Sequence, residues 1–384
     1  MAMLQSLTVR PLDIPFRVSF KHAAAERDRT GSVWVEARAA DGHVGCGEGC
    51  PRPYVTGEDL DSAQAFVARH RDALVGSDLR GTPDLVAFMD QHAADVDANP
   101  AAWCAVELAL LDLLACSDNR SVEAALGLPE IDGTFRYTAV IGDGDTDAFA
   151  AAFERYHRLG FTDYKLKLSG NLDRDRTKIE IVKRRATAGL RVRLDANNLW
   201  GSPAAASAHL AALEGVGCPL FAIEEPLPAG RHEALAVLAA TTDMKIILDE
   251  SCTGLRHLRQ LAPYVEAAPE RWIVNLRVSK MGGLIRSLAV VDGARRLGIG
   301  IIVGAQVGET SMLTRAALTV ASRAGDLLVA QEGAFGTHLL EHDVYDPPLM
   351  FGPAGILAWT SHGNPGFGLR RPRATHPQSS RRYE

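Results

Sequence analysis

The segments DYKLKL at residues 163–168, RVRLDA at 191–196, LFAIEE at 220–225 and KIILDE at 245–250 decide how this chain folds. Each is a short apolar run ending in charge, and the stretches between them have helical character. Working outward, similar runs begin near residues 136 (RYTAVI), 273 (IVNLRV), 299 (IGIIVG) and 327 (LLVAQE), so eight candidate strands start 25 to 29 residues apart. A complete β/α barrel of about 250 residues divides into eight units of about 30. That regularity favours a barrel over an open doubly wound sheet. No Gly-x-Gly-x-x-Gly follows the first strand, which argues against a dinucleotide site.

Upstream of the barrel pattern the texture differs. Leu4 to Val9, Ser32 to Arg38 and Gly42 to Glu48 alternate like paired strands, and Asp41-Gly42 supplies a hairpin turn. Lys21 to Gly31 reads as a polar, flexible loop, and Cys50 to Gly57, with two prolines, as a second loop before a helix opening near Glu58. Between Ala101 and Cys116, Trp103, Val106, Leu110, Leu113 and Leu114 recur at helical spacing. Residues 1 to about 130 therefore read as an α+β unit. The basic end from Arg370 to Glu384 reads as a frayed tail.

At 384 residues the chain is too long for one ordinary domain, so one large barrel or two domains are expected. With 47% hydrophobic and 23% charged residues, disorder, collagen and a disulfide scaffold are excluded. Lys and Arg number 41 against 47 Asp and Glu, a net charge of −6, which leaves no global footprint for nucleic acid. No apolar run approaches the roughly 20 residues that span a bilayer. The start, Met1 to Arg10, lacks the pattern of a signal peptide. The six cysteines form no C-x-x-C pair and read as reduced thiols. A soluble, cytoplasmic protein with no nucleic-acid or membrane partner is expected.

In a barrel the carboxyl ends of the strands surround the active site. Here the third, fourth and fifth strands deliver Asp195, Glu224 and Asp249 to one mouth. Half-buried carboxylates brought together either raise each other's pKa or hold a cation. Oxygen ligands without His or Cys suit a hard ion, most plausibly Mg2+. The alternative, that each acid only stabilises the helix start after its strand, accounts for one such residue better than for three in consecutive units. Lys165 and Lys167 on the second strand share a face by the period of two and point into the barrel. Two neighbouring cations disfavour each other's charge, so either lysine is expected to titrate below the usual value of about 10.4 and to serve as base or acid. A hard metal flanked by ammonium groups suits a carboxylate substrate that loses its α-proton.

Lys-x-Lys, Asp195-Ala-Asn197, Glu224-Glu-Pro226, Asp249-Glu-Ser251 and then Met281-Gly-Gly283, in this order, resemble the enolase superfamily and its muconate-lactonizing subgroup. Ala105 to Leu113 and Pro365 to Leu369 extend the likeness, which covers about residues 3 to 370. The resemblance implies an α/β chain with a modified TIM barrel, (β/α)7β, over residues 131–345. An α+β capping domain would span 1–130, completed by about 346–370, with 371–384 left as a tail. It further implies Asp195, Glu224 and Asp249 as ligands of Mg2+, Lys167 as acid/base and Lys165 as the residue that tunes it. Asn197 and Glu250 would orient ligands, the two cap loops would close over the substrate, and a homo-oligomer is expected.

One departure weighs on the chemistry. The subgroup's usual Lys-x-x-Lys on the sixth strand reads Arg277-Val-Ser-Lys280, and strand parity would turn Lys280 to the other face. Arginine stays protonated, a poor base but a permanent cation for a carboxylate or enolate. This favours one-base lyase or cycloisomerase chemistry on a small carboxylate over racemisation or epimerisation of an amino-acid-like or dipeptide substrate. A barrel kept only as a binding protein is the remaining class. The eighth strand end, Gln331-Glu332-Gly333, lacks the Asp-x-Asp with which dipeptide epimerases of the subgroup hold an ammonium, leaving Glu332 for a cationic group. Gln306, Glu309 and Thr310 stand where further substrate contacts are expected.

Overall fold

The computed structural model describes residues 2–22, 25–186, 189–361 and 363–371. All of the tail beyond residue 371 lies outside the described residues. Eight parallel strands run in sequence order: β1 (Ala139–Ile141), β2 (Asp163–Lys167), β3 (Arg191–Asp195), β4 (Leu220–Glu224), β5 (Lys245–Leu248), β6 (Trp272–Leu276), β7 (Gly300–Val303) and β8 (Leu328–Gln331). The apolar runs of β5 and β7, KIIL and GIIV, follow from helices covering the outer face while side chains fill the inside. Register places Asp195 beside Lys167 on one flank and Glu224 on the other. The charges that end these strands thus meet at one mouth.

RYTAVI does not form one strand. Asp132–Arg136 pairs antiparallel with Ile356–Thr360, and only Ala139–Ile141 joins the barrel. The chain bends between them because Tyr137 N–H donates to Gly355 O (2.7 Å) and Thr138 N–H to Gln331 O (2.8 Å).

The cap is an antiparallel sheet in the order Val44–Gly49, Ser32–Ala39, Ala2–Leu12, Asp78–Leu79. Gly42, at φ 95°, makes the turn read from Asp41-Gly42. The stretch Lys21 to Gly31, expected as a flexible loop, instead contributes to a ribbon of Pro15–His22 paired with Ala25–Arg29. A polar alternating segment forms a strand when a partner strand satisfies its backbone, which local composition does not reveal.

Helix α1 (Pro100–Ser117) packs between cap and barrel and is buried almost all round, not on one face as its spacing suggested. It is apolar and long enough to cross a bilayer by length and composition, but 83% of it is buried inside the protein. The cap strand Val44–Gly49 lies directly on this helix because every second residue is glycine. A Cβ on Gly45, Gly47 or Gly49 would sit 2.1, 2.1 or 2.0 Å from the carbonyl oxygens of Ala109, Ala105 and Ala101. These contacts involve backbone and cannot be relieved by a rotamer. Gly47→Ala is therefore expected to destabilise the protein by about 1–3 kcal/mol, read as a lower urea midpoint with unchanged m; an unchanged midpoint would contradict the close packing.

Cap and barrel are joined by buried polar contacts. The Glu48 carboxylate accepts from Thr310 Oγ1 (2.6 Å), Cys50 N–H donates to Ser279 Oγ (2.8 Å) and Glu107 Oε1 accepts from Ile285 N–H (2.9 Å). Thr310 is thus part of the cap–barrel seam rather than a substrate contact.

Candidate active site

Lys165 and Lys167 both point inward from β2 and are almost wholly shielded from solvent, at 3% and 7% exposure. Their surroundings differ. Lys165 Nζ donates to Glu224 Oε1 (2.8 Å) and lies 3.2 Å from Asp195 Oδ2 and 3.4 Å from the Glu332 carboxylate. Burial opposes its charge, but Asp195, Glu224 and Glu332 outweigh burial and hold its pKa above the ordinary lysine value. Of the two lysines, either of which was expected to be able to titrate low, Lys165 does not: three carboxylates favour its charged form. Lys167 Nζ donates to the neutral amide oxygen of Asn197 (3.0 Å) and stands 3.5 Å from Asp195 Oδ2. Burial lowers its pKa, Asp195 works against that, and the neighbouring Lys165 charge adds to the lowering.

Asn197 reaches Lys167 because residues 197 and 198 both take positive φ (44° and 64°), a conformation asparagine tolerates. Its own N–H is fastened to Asp195 Oδ1 (3.1 Å). On β4, Glu224 Oε1 accepts from Lys165 and from Asn275 Nδ2 (3.0 Å), while Oε2 is buried without a partner. Sequence reasoning missed the next residue. Glu225, at φ 37°, turns away from the mouth and accepts from Asp249 N–H (2.6 Å), Ser251 N–H (2.7 Å) and Ser251 Oγ (2.8 Å). It braces the loop that presents Asp249.

Asp249 follows β5. Lys280 Nζ donates to its Oδ1 and to its carbonyl oxygen (both 2.7 Å), and Arg277 donates to Oδ2. The parity argument for Lys280 fails because Val278–Met281 is a helical turn, not a continuing strand. Lys280 nevertheless stays out of the cavity lining, buried beneath Asp249. Arg277 lines the cavity and also donates to Gln306 Oε1 (3.0 Å). Glu250 lines it too, with Oε2 buried and partnerless, and burial raises its carboxyl to about 7.

Two expected substrate contacts change role. Glu309 lies outside the cavity lining and accepts from Gln306 N–H (2.7 Å), so it supports the Gln306 loop. Glu332 does line the cavity, but Arg193 holds it at 2.7 Å and Lys165 at 3.4 Å. Burial opposes its ionisation, yet Lys165 and Arg193 bring its pKa down to about 2. Its charge is satisfied from within the barrel, which leaves it unsuited to a substrate cation. Arg193, also missed, is fully buried and bonded to Asp163 (2.6 Å) and Thr138 (3.1 Å). Its position two residues before Asp195 was the available signal, since period two turns both inward.

Asp195, Glu224 and Asp249 reach the same mouth, but among the described residues no three Asp, Glu, His or Cys side chains cluster closely enough to enclose a metal ion. Lys165 bridges Asp195 and Glu224, while Arg277 and Lys280 hold Asp249. The donor chemistry fits a hard dication: all ligating atoms are oxygens, Glu224 keeps a buried oxygen without a partner, and burial together with Asp195 raises the Glu224 carboxyl. Asp249 can offer Oδ2 to such an ion only where Arg277 releases it.

The mouth opens into a cavity of about 410 Å3, within the range of small-ligand sites. From the cap, Val18 and Tyr54 line it. Arg52, buried behind Tyr54, donates to Gly31 O (2.9 Å), Thr30 O (3.0 Å) and Val307 O (2.7 Å), and so ties both cap loops to the barrel.

Residues 148–371 match the family described as enolase C-terminal domain-like, and residues 5–127 match the mandelate racemase/muconate lactonizing enzyme N-terminal domain. The chain is 28% identical to N-succinyl-L-Arg/Lys racemase of Bacillus cereus over 314 residues, 81% of this chain and 80% of that protein. It is 29% identical to L-Lys-D/L-Arg epimerase of Methylococcus capsulatus, over 81% of this chain and 83% of the relative. The crystal structure of the Methylococcus capsulatus dipeptide epimerase complexed with Mg and L-Arg-D-Lys superposes with a TM-score of 0.81 at 27% identity, covering 96% of this chain and all of that one. These relatives are racemases and epimerases, so they support that alternative better than the lyase or cycloisomerase preferred from Arg277.

Proposed function

The chain belongs to the enolase superfamily, in its mandelate racemase/muconate lactonizing enzyme branch, and we propose that it racemises or epimerises an amino-acid-like carboxylate by taking and returning the α-proton. The observation that carries this reading is the division between the two inward lysines. Both line the cavity, but Lys165 is surrounded by three carboxylates, whereas Lys167 has its hydrogen bond on the neutral Asn197 amide and one carboxylate, Asp195, at 3.5 Å. Neighbouring groups whose environments push them apart take separate roles. Lys167 removes the α-proton from one face or returns it there. Water on the opposite face, lined by Arg277, supplies or accepts the proton that completes inversion, and Lys165 stays a cation that favours the developing negative charge.

Asp195, Glu224 and Asp249 would hold Mg2+, which would polarise the substrate carboxylate and take up the charge that develops there. Arg277 presents a permanent cation from the β6 side and Gln306 orients its guanidinium. Because arginine releases its proton poorly, the two faces of the substrate are handled unequally. In deuterated water with Mg2+, the enantiomer whose α-hydrogen faces Lys167 should exchange at least about 100-fold faster than the other. Inverted product should accumulate from both, which proton NMR and chiral separation will read. Arg277→Lys should narrow that ratio by at least about tenfold, since a lysine, unlike arginine, can lose its proton and act as a base in its neutral amine form.

Arg277 also favours a second reading, one-base elimination. Product with a single stereochemical course, and no inversion of any N-acyl amino acid or dipeptide, would establish it in place of epimerisation.

A further inference from the structure

Arg52, in the cap loop Cys50 to Gly57, is fully buried, and among the described residues no carboxylate pairs with it. Its guanidinium donates to carbonyl oxygens instead: Pro51 (2.7 Å) in its own loop, Thr30 (3.0 Å) and Gly31 (2.9 Å) in the neighbouring cap segment, and Val307 (2.7 Å) after β7. Burying a cation without a carboxylate is costly. What the planar fork of arginine supplies here is geometry, since one side chain fastens two cap segments to one turn of the barrel.

That turn carries Gln306. Gln306 N–H donates to the Glu309 carboxylate (2.7 Å) and Glu309 N–H to Gln306 O (3.2 Å), so the turn closes on itself. Within it Gly308 has φ 93°, and a Cβ there would lie 2.9 Å from Phe16 Cζ and 3.0 Å from Thr30 Cα, both in the cap. Thr310 is held by Glu48, again from the cap. The position of the turn is therefore set from the cap side.

From the turn, the Gln306 side chain reaches the cavity and accepts from Arg277 Nη1 (3.0 Å), while Arg277 Nη2 donates to Asp249 Oδ2. Arg277 Nε and Gln306 Nε2 are buried with no partner. Arg277 is thus a cation shared between two acceptors, one placed by the cap and the other assigned above to the metal. When Asp249 turns Oδ2 to a dication, Arg277 loses that acceptor and keeps Gln306. Without Gln306 in place, the released guanidinium would be buried with no acceptor, and its release would cost more.

Resting on the reading of Asp249 as a metal ligand, we propose that Arg52 is a positioning residue for the metal site. By holding the Gln306 turn it gives Arg277 an acceptor away from Asp249, so that seating of the cap and binding of Mg2+ favour each other. The coupling is reciprocal.

Isothermal titration with Mg2+ alone, in the absence of substrate, tests this. Gln306→Leu keeps the backbone bonds of the turn and should weaken Mg2+ binding at least about tenfold, the worth of one hydrogen bond to a charged group. Arg52→Met, which leaves Gln306 present but unanchored, should weaken it at least about fivefold, and Arg52→Lys, which keeps one donor, should fall between Arg52→Met and the parent. Arg277→Met removes the shared cation and should tighten Mg2+ binding. In that background neither Arg52→Met nor Gln306→Leu should change the affinity by more than about twofold, because the route runs through Arg277. By reciprocity, Mg2+ should slow amide hydrogen exchange in residues 50–57 of the parent and leave it unchanged in Gln306→Leu.

A purely structural role for Arg52 would weaken Mg2+ binding whether or not Arg277 is present, and that result overturns the proposal. So does parental Mg2+ affinity in both Arg52 variants. Saturable binding that no Arg52 or Gln306 variant moves sinks the coupling and leaves the ligand assignment standing, whereas no saturable binding in the parent sinks the assignment and the coupling with it.

Discussion

Lys167→Ala should lower exchange of the substrate α-proton with solvent by about 10²- to 10⁴-fold, the range expected for loss of a positioned base. The fold should survive. Lys167 contributes one hydrogen bond, to Asn197, and a 3.5 Å ion pair to Asp195, which keeps Lys165 at 3.2 Å. No buried charge is left uncompensated, so the thermal midpoint should move by only a few degrees. In the parent, exchange should rise with pH, because the base acts unprotonated, and should level off below the ordinary lysine value of 10.5. Near-parental exchange in Lys167→Ala would assign the base elsewhere.

Glu224→Gln should cost at least about 10³-fold in the same exchange assay, because a Lewis acid at a carboxylate is worth several kcal/mol of charge stabilisation. The substitution keeps an acceptor for Lys165 and Asn275, so the neighbours at 2.8 and 3.0 Å stay satisfied. What it removes is the negative charge and the buried, partnerless Oε2. Weakened Mg2+ binding by isothermal titration should accompany the lost activity. Unchanged Mg2+ affinity would remove Glu224 from the ligand set.

Misread residues share a physical cause. Lys280 was judged by strand parity, and although it stays out of the cavity lining, the reason is different: it lies on a helical turn and is buried beneath Asp249. Glu332 looked available because its partners, Arg193 and Lys165, come from strands 139 and 167 residues away in sequence. Glu225 gave no local sign of its role, since its turned backbone and its acceptor position beneath Asp249 arise only when β4 and β5 lie side by side. Residues 21–31 looked like a loop because a two-stranded ribbon in the cap is set by pairing, not by composition.

By itself the sequence determined the barrel, because the 25- to 29-residue spacing of apolar runs is dictated by the length of one strand, one helix and two turns. It also pointed Lys165, Lys167, Asp195, Glu224 and Asp249 to one mouth, because residues two apart on a strand share a face and the ends of parallel strands lie on the same side of the sheet. Tertiary structure alone decided how those charges pair and which lysine stays a cation. Electrostatic environment is a sum over neighbours brought together from across the chain, and those neighbours meet only once the sheet has curled to gather its strand ends round one mouth.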